Sequence, residues 1–277
     1  MFMAKTLKVV LIILGVIIIG LVLAYFLVFS NKGTDAYLYI DSGVVQVNQG
    51  KGWVAATNEM GLKETDSVKT LEGTATIIFY ESEILRLKQN TEVNIKDISK
   101  DSLTVKQNSG KTWSKVVKLT GVTSYNVETP DTVATVRGTG FGTLVSDGSS
   151  DILVGEGIVN VSGNLVELKH KIKAVKGKHQ QIKEMDENDL KFTDGENIKD
   201  LNDIKRVRMH LIKASNYYKI GKTQGVNDEI LESYLNAIDN GDLKEKDLLD
   251  KYHLKGKTVD DVIRINKLIR ERYMKHG

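Results

Sequence analysis

The chain has 277 residues, a formal net charge of +3 at pH 7, no cysteine and a single proline. This length allows one to three domains with a sizeable core. The nearly balanced charge argues against a nucleic-acid partner, and the lack of cysteine excludes disulfides, thiolate metal sites and a cysteine nucleophile. The five histidines show no ligand spacing, so we expect neither a metal nor a cofactor.

Residues 9–29 form an uninterrupted apolar run. A helix needs about 20 such residues to cross the hydrocarbon core of a membrane. Lys5 and Lys8 precede the run and acidic residues follow it, so the positive-inside rule places the N-terminus in the cytoplasm. We therefore predict a short cytoplasmic tail and a transmembrane helix over residues 1–30, with the rest of the chain extracytoplasmic. A cleaved signal peptide is the alternative.

Residues 36–185 read as a mainly β domain. Short runs rich in valine, isoleucine, threonine and tyrosine alternate with turn residues every 8–12 positions or so, which is typical of an all-β domain. Trp53 and Trp113 each follow a glycine and begin a strand, and both are predicted to lie in the core. The lysine-rich stretch Leu165–Met185 is interpreted as a solvated edge strand, with attraction of anionic polymers or lipid headgroups as the alternative.

Composition changes after the β domain. Residues 186–199 are predicted to be a polar linker, and residues 200–277 show the helical period of three or four short amphipathic helices, which favours a small bundle. Asn227 is predicted to cap one helix, which ends at Asn240 and Gly241. Asp242 with Glu245 resembles a capping box for the next helix.

The segment Glu128–Gly142, E-T-P-D-T-V-A-T-V-R-G-T-G-F-G, contains the only proline, Pro130, and three alternate glycines. If the strand that begins at Thr132 continued, Gly138, Gly140 and Gly142 would share one face, and an aromatic ring could approach closely. We expect a tightly packed core strand whose arginine, Arg137, ties down loop carbonyls; a ligand site is the alternative. No helix signal follows the glycines, so a nucleotide-binding loop is excluded.

These residues also carry a family resemblance. The pattern T-P-x-x-V-A-x-V-R-G-T-x-F resembles the signature of FecR-type domains, and further stretches that resemble the family follow the expected order. The motif residues are Pro130, Val136, Arg137, Gly138, Thr139 and Phe141. The supporting stretches are Asp66–Thr70, Ala75–Phe79, Leu85–Val93, Ser109–Trp113 and Glu156–Val161. The resemblance implies a β-solenoid or sandwich-like domain, and alternation alone does not choose between them.

The resemblance also implies a function. In better-known FecR proteins the outer domain senses an envelope receptor and a cytoplasmic tail controls a sigma factor. Here residues 1–8 are too few for a sigma-binding element, and the C-terminal part reads as helical. We therefore expect an extracytoplasmic protein-interaction or envelope-sensing module, with an envelope or membrane protein as partner. The competing hypothesis is a structural surface protein that binds envelope polymer or glycan without signalling.

Catalysis is not expected. Nucleophilic and metal-dependent hydrolases carry recognisable spacings of serine, histidine or lysine, and the sequence contains no G-x-S-x-G, H-E-x-x-H or S-x-x-K. Asp131, Asp147, Asp151 and Glu156 lie near predicted turns, where acidic residues are ordinary. The sequence therefore predicts a protein that is not an enzyme.

Overall fold

The computed structural model of the protein describes residues 36–79, 83–99, 102–117 and 124–272. Strands fill most of the region before residue 186, as the alternation predicts. The strands are β1 Ala36–Ser42, β2 Val45–Asn48, β3 Trp53–Ala55, β4 Met60–Leu62, β5 Ser67–Thr70, β6 Thr74–Phe79, β7 Glu83–Leu87, β8 Thr91–Ile98, β9 Ser102–Val116, β10 Ser124–Glu128, β11 Val133–Val136, β12 Gly140–Ser146, β13 Ser149–Glu156, β14 Ile158–Val161, β15 Asn164–Glu167, β16 His170–Val175, β17 Lys178–His179 and β18 Lys183–Glu184.

A helical region follows the strands. The helices are α1 Glu187–Ala214, α2 Asn216–Thr223, α3 Asp228–Asn240, α4 Glu245–Lys251 and α5 Lys257–Arg272. A mainly β region with a C-terminal helical region is therefore confirmed. The predicted tail and transmembrane helix, residues 1–30, lie outside the described residues. Among the residues that are described, no helix is both long and apolar enough to cross a membrane.

The strands form two sheets that share β9. The covered sheet has the order β4-β1-β6-β7-β9-β12-β13-β16, with β17 and β18 pairing along the remaining side of β16. The open sheet has the order β3-β2-β5-β8-β9-β10-β11-β14-β15. Residues 102–109 of β9 pair in the open sheet and residues 110–116 pair in the covered sheet. Among the described strands, only β9 and β10 pair in parallel.

The main core lies between the two sheets. Leu38 and Phe141 of the covered sheet belong to the same buried cluster as Val68 and Val127 of the open sheet, and all four are fully buried. Two antiparallel sheets that bury a shared core are the arrangement of a β-sandwich. The β domain is therefore a sandwich rather than a solenoid, which the alternation of residues could not decide.

The outer faces of the two sheets differ. In the open sheet, β10 alternates between buried and partly exposed residues, as expected for a strand with one solvated face. In the covered sheet, all five residues of β7 are buried, because helices pack on its outer face. A second hydrophobic cluster joins that face to α1 and α5. It contains Tyr39, Ile78, Ile84, Val117, Ile204, Val207, Leu211, Ile265 and Ile269.

The prediction of a polar linker over residues 186–199 is wrong, because these residues form the N-terminal half of α1. Asp186 caps the helix by accepting a hydrogen bond from the backbone of Asp189, and the Asp189 side chain completes a capping box. The side of α1 that faces the sheet here is polar, with Thr193 and Glu196 buried. A helix that buries polar side chains lacks apolar residues at the helical spacing of three to four positions. Its sequence therefore resembles that of a polar linker.

The other helix signals have mixed outcomes. Asn227 caps α3 by accepting a hydrogen bond from the backbone N–H three residues on, and Gly241 ends the helix in the left-handed region at φ 83°, as predicted. The predicted capping box of Asp242 and Glu245 is wrong. The helix α4 starts after Lys244, whose side chain makes no capping hydrogen bond.

Two predictions for single β-domain features are correct only in part. Trp113 is fully buried, but Trp53 lies on the edge strand β3 with 37% of its surface exposed. The ammonium of Lys69 lies 5.2 Å from the Trp53 ring centroid and partly covers it. Within the lysine-rich stretch, β16 is interior, since it pairs with β13 on one side and with β17 and β18 on the other. The edge is formed by β17 and β18, which carry Lys178 and Lys183 and pair with no other described strand. Lys171 instead holds the start of α1 through ion pairs with Asp186 and Asp189.

Candidate functional site beneath the first helix

The motif segment forms a turn, a strand, a bend and the start of a second strand. Pro130 is exposed in the turn between β10 and β11. The Thr129 backbone N–H donates to the Thr132 carbonyl at 2.8 Å, and the Thr129 hydroxyl accepts from the Thr132 N–H at 3.0 Å. The carboxylate of Asp131 accepts from the Ser150 hydroxyl at 2.9 Å, which ties the turn to β13. This end of the motif therefore stabilises a turn.

The apolar motif residues belong to the core. Val136 is 4% exposed and lies opposite Tyr125, whose ring is 6.3 Å from the fully buried ring of Phe141. The Tyr125 hydroxyl forms a hydrogen bond with the Ser114 hydroxyl at 3.0 Å. Burial raises the pKa of Tyr125 and keeps the phenol neutral. These side chains therefore hold the two sheets together.

The expectation for Arg137 is not met. The strand stops at Val136, and Gly138 adopts a left-handed conformation with φ 82°, so the backbone bends before β12. Arg137 is exposed, and its side chain makes no hydrogen bond or ion pair with another described residue. The loop is held instead by the Thr139 carbonyl, which accepts from the Val116 N–H at 2.9 Å. Thr139 itself is buried.

The glycines of the motif do admit aromatic rings. Because of the bend, Gly138 does not share the face of Gly140 and Gly142, as the prediction of a continuous strand required. A Cβ at Gly140 would lie 2.9 Å from Trp113 Cζ2, and one at Gly142 would lie 2.6 Å from Phe192 Cε1. Both distances are shorter than real side chains tolerate, so bare backbone is required at these two positions. The aromatic ring packed on Gly142 comes from α1.

The strongest polar contact between α1 and the covered sheet surrounds Arg86 of β7. Its Nη1 donates to the carbonyl and to Oε2 of Glu196, at 2.9 and 3.0 Å. Its Nη2 donates to Asp200 Oδ1 at 2.5 Å, and its Nε donates to Asp203. The three carboxylates lie on one face of α1, since they follow the i, i+4, i+7 spacing of a helix. One guanidinium therefore binds three helical carboxylates, and all four side chains are at least 94% buried.

Further basic and aromatic groups of the sheet surround this contact. Trp113 Nε1 donates to Asp200 Oδ1 at 3.1 Å, and Lys115 Nζ lies 3.3 Å from Asp200 Oδ2. Lys88 forms an ion pair with Glu196. The ammonium of Lys111 lies 3.6 Å from the centroid of the Phe192 ring. A basic strip on β7 and β9 thus meets an acidic strip on α1.

The charges of this contact balance one another. Burial disfavours the charge of Arg86, but Asp203, Asp200 and Glu196 outweigh burial and raise its pKa, so the guanidinium remains charged. Burial raises the pKa of Asp200 and of Asp203 more than Arg86 lowers it. Arg86 and its three carboxylates are paired and enclosed, so this contact holds α1 against the covered sheet. No cluster of potential metal ligands occurs among residues 36–272 where the structure describes them.

A cleft of about 520 Å³ opens beside this contact, between β1, α1 and α3. On its wall, the Tyr39 hydroxyl forms a hydrogen bond with His210 Nδ1 at 3.2 Å, and the rings of Tyr37 and His210 meet edge-on at 3.8 Å. Burial, followed by the charge of Glu59, raises the pKa of Tyr39 to about 12. Burial lowers the pKa of His210 from its ordinary value of 6.5.

Sequence reasoning missed Arg86 and its three carboxylates. Arg86 stands in the alternating stretch L-R-L-K, where a charged residue normally faces solvent. Glu196 stands in the segment taken for a linker, and Asp200 and Asp203 stand at the start of the predicted helical region. One signal could have found them: Glu196, Asp200 and Asp203 continue, by helical spacing, into the apolar face of the same helix.

Comparison with known protein families identifies a FecR domain within the β region. The family described as FecR protein matches residues 66–160, from β5 into β14, and this range includes all six motif residues. The resemblance seen in the sequence is therefore confirmed for this part of the chain. No curated protein sequence matches the chain.

Part of the chain is also similar to two crystal structures of a Parabacteroides distasonis protein described provisionally as an anti-sigma factor. Each comparison has 16% sequence identity and a TM-score of 0.38, and covers 43% of this chain and 60% of that protein. The similarity therefore spans less than two thirds of that protein's length.

Proposed function

We propose that the chain is a membrane-anchored regulatory protein whose FecR domain acts outside the cytoplasm through protein–protein recognition, without catalysis. The FecR domain supports a signalling or regulatory role. The observation that carries the proposal is the match of residues 66–160 to the FecR family. The outer face of the covered sheet is already occupied by α1 through the contact of Arg86 with Glu196, Asp200 and Asp203, so a partner would bind at surfaces that remain exposed.

The absence of cysteine allows a direct test of membrane topology. Ser42 and Asp147 are both exposed, so each can be replaced by the only cysteine of the chain. The apolar run at residues 9–29 and the preceding lysines support an N-terminus in the cytoplasm. Both cysteines should therefore react with a membrane-impermeant maleimide in intact cells. Labelling that appears only after lysis would reverse the topology and remove the extracytoplasmic function.

The regulatory role is tested by the kind of partner found in cells. A photo-crosslinking residue placed at exposed sites of the helical region, such as Asn236, should yield a discrete crosslinked protein, identified by mass spectrometry. The competing function, a structural surface protein that binds envelope polymer, predicts a different result. In that case the protein would co-sediment with isolated envelope polymer and would give no discrete crosslinked species.

A further inference from the structure

Two segments of the helical region carry lysine and exposed aromatic or aliphatic side chains but no acidic residue. They are residues 216–223, which form α2, and residues 251–257, which connect α4 to α5. Together they contain five lysines and no acid, in a chain with 36 acidic residues. All five lysines are exposed, and none forms an ion pair with any residue that the structure describes. The lysines are Lys219, Lys222, Lys251, Lys255 and Lys257.

A hydrogen-bonded contact joins the two segments into one surface. The Tyr217 hydroxyl donates to the Lys255 carbonyl at 3.1 Å and lies 3.3 Å from the Lys255 backbone nitrogen. Tyr217, Ile220 and Tyr252 are 41%, 57% and 53% exposed. The ammonium of Lys251 lies 5.2 Å from the Tyr252 ring centroid. We call residues 216–223 with 251–257 the lysine–tyrosine patch.

The acidic residues nearest to the patch in sequence offset its lysines only in part. Asp228 pairs with Lys213 at 2.5 Å and accepts from the Tyr218 hydroxyl; these contacts, and more weakly the charge of Lys222, lower its pKa. Asp250 and Asp260 flank the second segment, but neither forms an ion pair with a described lysine or arginine. The patch therefore presents an excess of positive charge together with apolar side chains.

This combination matches the chemistry of a membrane surface. Tyrosine is enriched where headgroups meet acyl chains, because its ring is apolar and its hydroxyl is polar. Lysine can bury its alkyl stem while the ammonium remains at the headgroup level. Each lysine near an anionic lipid surface adds electrostatic attraction. Ile220, which lies between Lys219 and Lys222 in the sequence, is an exposed apolar side chain that could enter the boundary between headgroups and acyl chains.

The position of the patch relative to the start of β1 also favours a membrane surface as its partner. The first strand, β1, begins at Ala36, six residues after Ser30, where the predicted anchor ends. The next residue, Tyr37, contacts His210 near the end of α1, and α2 begins six residues after His210. A chain anchored in a membrane also experiences a high effective concentration of lipid headgroups. We propose that the lysine–tyrosine patch binds anionic phospholipid headgroups at the membrane surface, an inference that rests on the proposed membrane anchor.

The test uses the full chain reconstituted in vesicles. Asn216→Cys introduces a single cysteine on α2, one helical turn from Ile220, and leaves every lysine and tyrosine of the patch unchanged. The cysteine carries an environment-sensitive fluorophore. The vesicles contain phosphatidylcholine alone or with phosphatidylglycerol, and brominated lipids serve as quenchers. We expect a blue shift and quenching only in vesicles that contain phosphatidylglycerol.

Two matched controls isolate the patch. The same fluorophore at Ile198→Cys reports on another exposed isoleucine, 77% exposed on α1 and outside the patch, and should not be quenched. In the Asn216→Cys background, Lys219→Glu with Lys222→Glu should lose most of the quenching. Lys176→Glu with Lys178→Glu makes the same change in net charge at two exposed lysines of the β16–β17 turn and should retain the quenching.

The outcomes separate this inference from the proposed anchor. If the chain does not float with the vesicles, the anchor is wrong. If the chain floats but the label at residue 216 is quenched no more than the label at residue 198, the anchor stands and the patch proposal is overturned. If a soluble polyanion such as polyglutamate shifts the label in neutral vesicles while phosphatidylglycerol does not, the patch binds anionic polymer, which also overturns the proposal for lipid.

Discussion

The two sheets of the β-sandwich place charged residues in opposite settings. On the outer face of the open sheet, Lys96 pairs with Glu128 while both side chains remain in contact with water, at 45% and 31% exposure. On the outer face of the covered sheet, Arg86 is 6% exposed beneath α1. The exposed pair of Lys96 and Glu128 contributes little to the free energy of unfolding. The contact of Arg86 is a structural requirement, because its removal would leave three carboxylates buried without their main partner.

The comparison shows how a β-sandwich can accept a helix through a polar face. The carboxylates of Glu196, Asp200 and Asp203 lie where a packed helix normally carries leucine or isoleucine. Farther along α1, Ile204, Val207 and Leu211 supply an ordinary apolar face against the same sheet. One helix therefore uses specific charge recognition at one end and hydrophobic burial at the other.

The largest expected effect is at Arg86. Arg86→Met should lower the free energy of unfolding by about 3–5 kcal/mol, because it leaves buried carboxylates without their cation. Arg86→Lys should recover little of this loss, since an ammonium cannot reproduce the planar fork of donors. Urea denaturation of the purified protein measures both effects.

The matched control is Lys96→Met on the open sheet. It breaks an exposed ion pair and should change the free energy of unfolding by less than about 1 kcal/mol. Similar losses for Lys96→Met and Arg86→Met would show that the two faces do not differ as described.

A smaller effect is expected where α1 meets bare backbone. Gly142→Ala should destabilise the protein by about 1–3 kcal/mol, because the new methyl group would lie 2.6 Å from the Phe192 ring. Gly195→Ala, in α1 with no neighbour within 4 Å, should instead stabilise the protein by about 0.5–1 kcal/mol. Melting temperatures that move in the same direction for both variants would contradict the close packing of Phe192 on β12.

Sequence patterns predicted the parts of the fold in which apolar residues are buried and polar residues are exposed. The alternation of apolar runs and turn residues predicted the strands before residue 186, and Trp113 lies in the core as predicted. The patterns failed where buried groups are polar or where the backbone bends. The buried position of Arg86 was missed because a charged residue in an alternating strand is expected to face solvent. The exposed position of Arg137 was missed because the bend at Gly138 could not be derived from alternation.

A pH-dependent effect is expected at the contact between β1 and α1. Burial lowers the pKa of His210 below 6.5, so the folded protein binds this proton less tightly than the unfolded chain. Stability from neutral His210 is therefore present above pH 6.5 and is lost as pH falls through the lowered pKa. Lys213 adds to this shift and Glu59 opposes it.

The corresponding experiment compares urea unfolding at pH 7.5 and pH 5. The wild type should lose more stability between these values than His210→Gln, in which the titration is removed. An equal loss in both proteins would show that His210 is not part of a buried contact.

The smallest effect is expected at Arg137. Its side chain is exposed, so Arg137→Ala should change the free energy of unfolding by less than about 0.5 kcal/mol. The neighbouring Gly138→Val should cost about 1–3 kcal/mol, because φ 82° is strained for a branched residue. If Arg137→Ala proves as damaging as Gly138→Val, the arginine has the structural role that the sequence suggested.

Hydrogen exchange at the N-terminal half of α1 tests the central claim most directly, namely that the covered sheet binds this segment as a helix. In the wild type, the amides of residues 190–203 should exchange as slowly as those of β7, since both depend on the Arg86 contact. In Arg86→Met, residues 190–203 should exchange faster while the open-sheet strand β10 remains protected. Rapid exchange of residues 190–203 in the wild type would mean that they behave as a linker, and would contradict the claim.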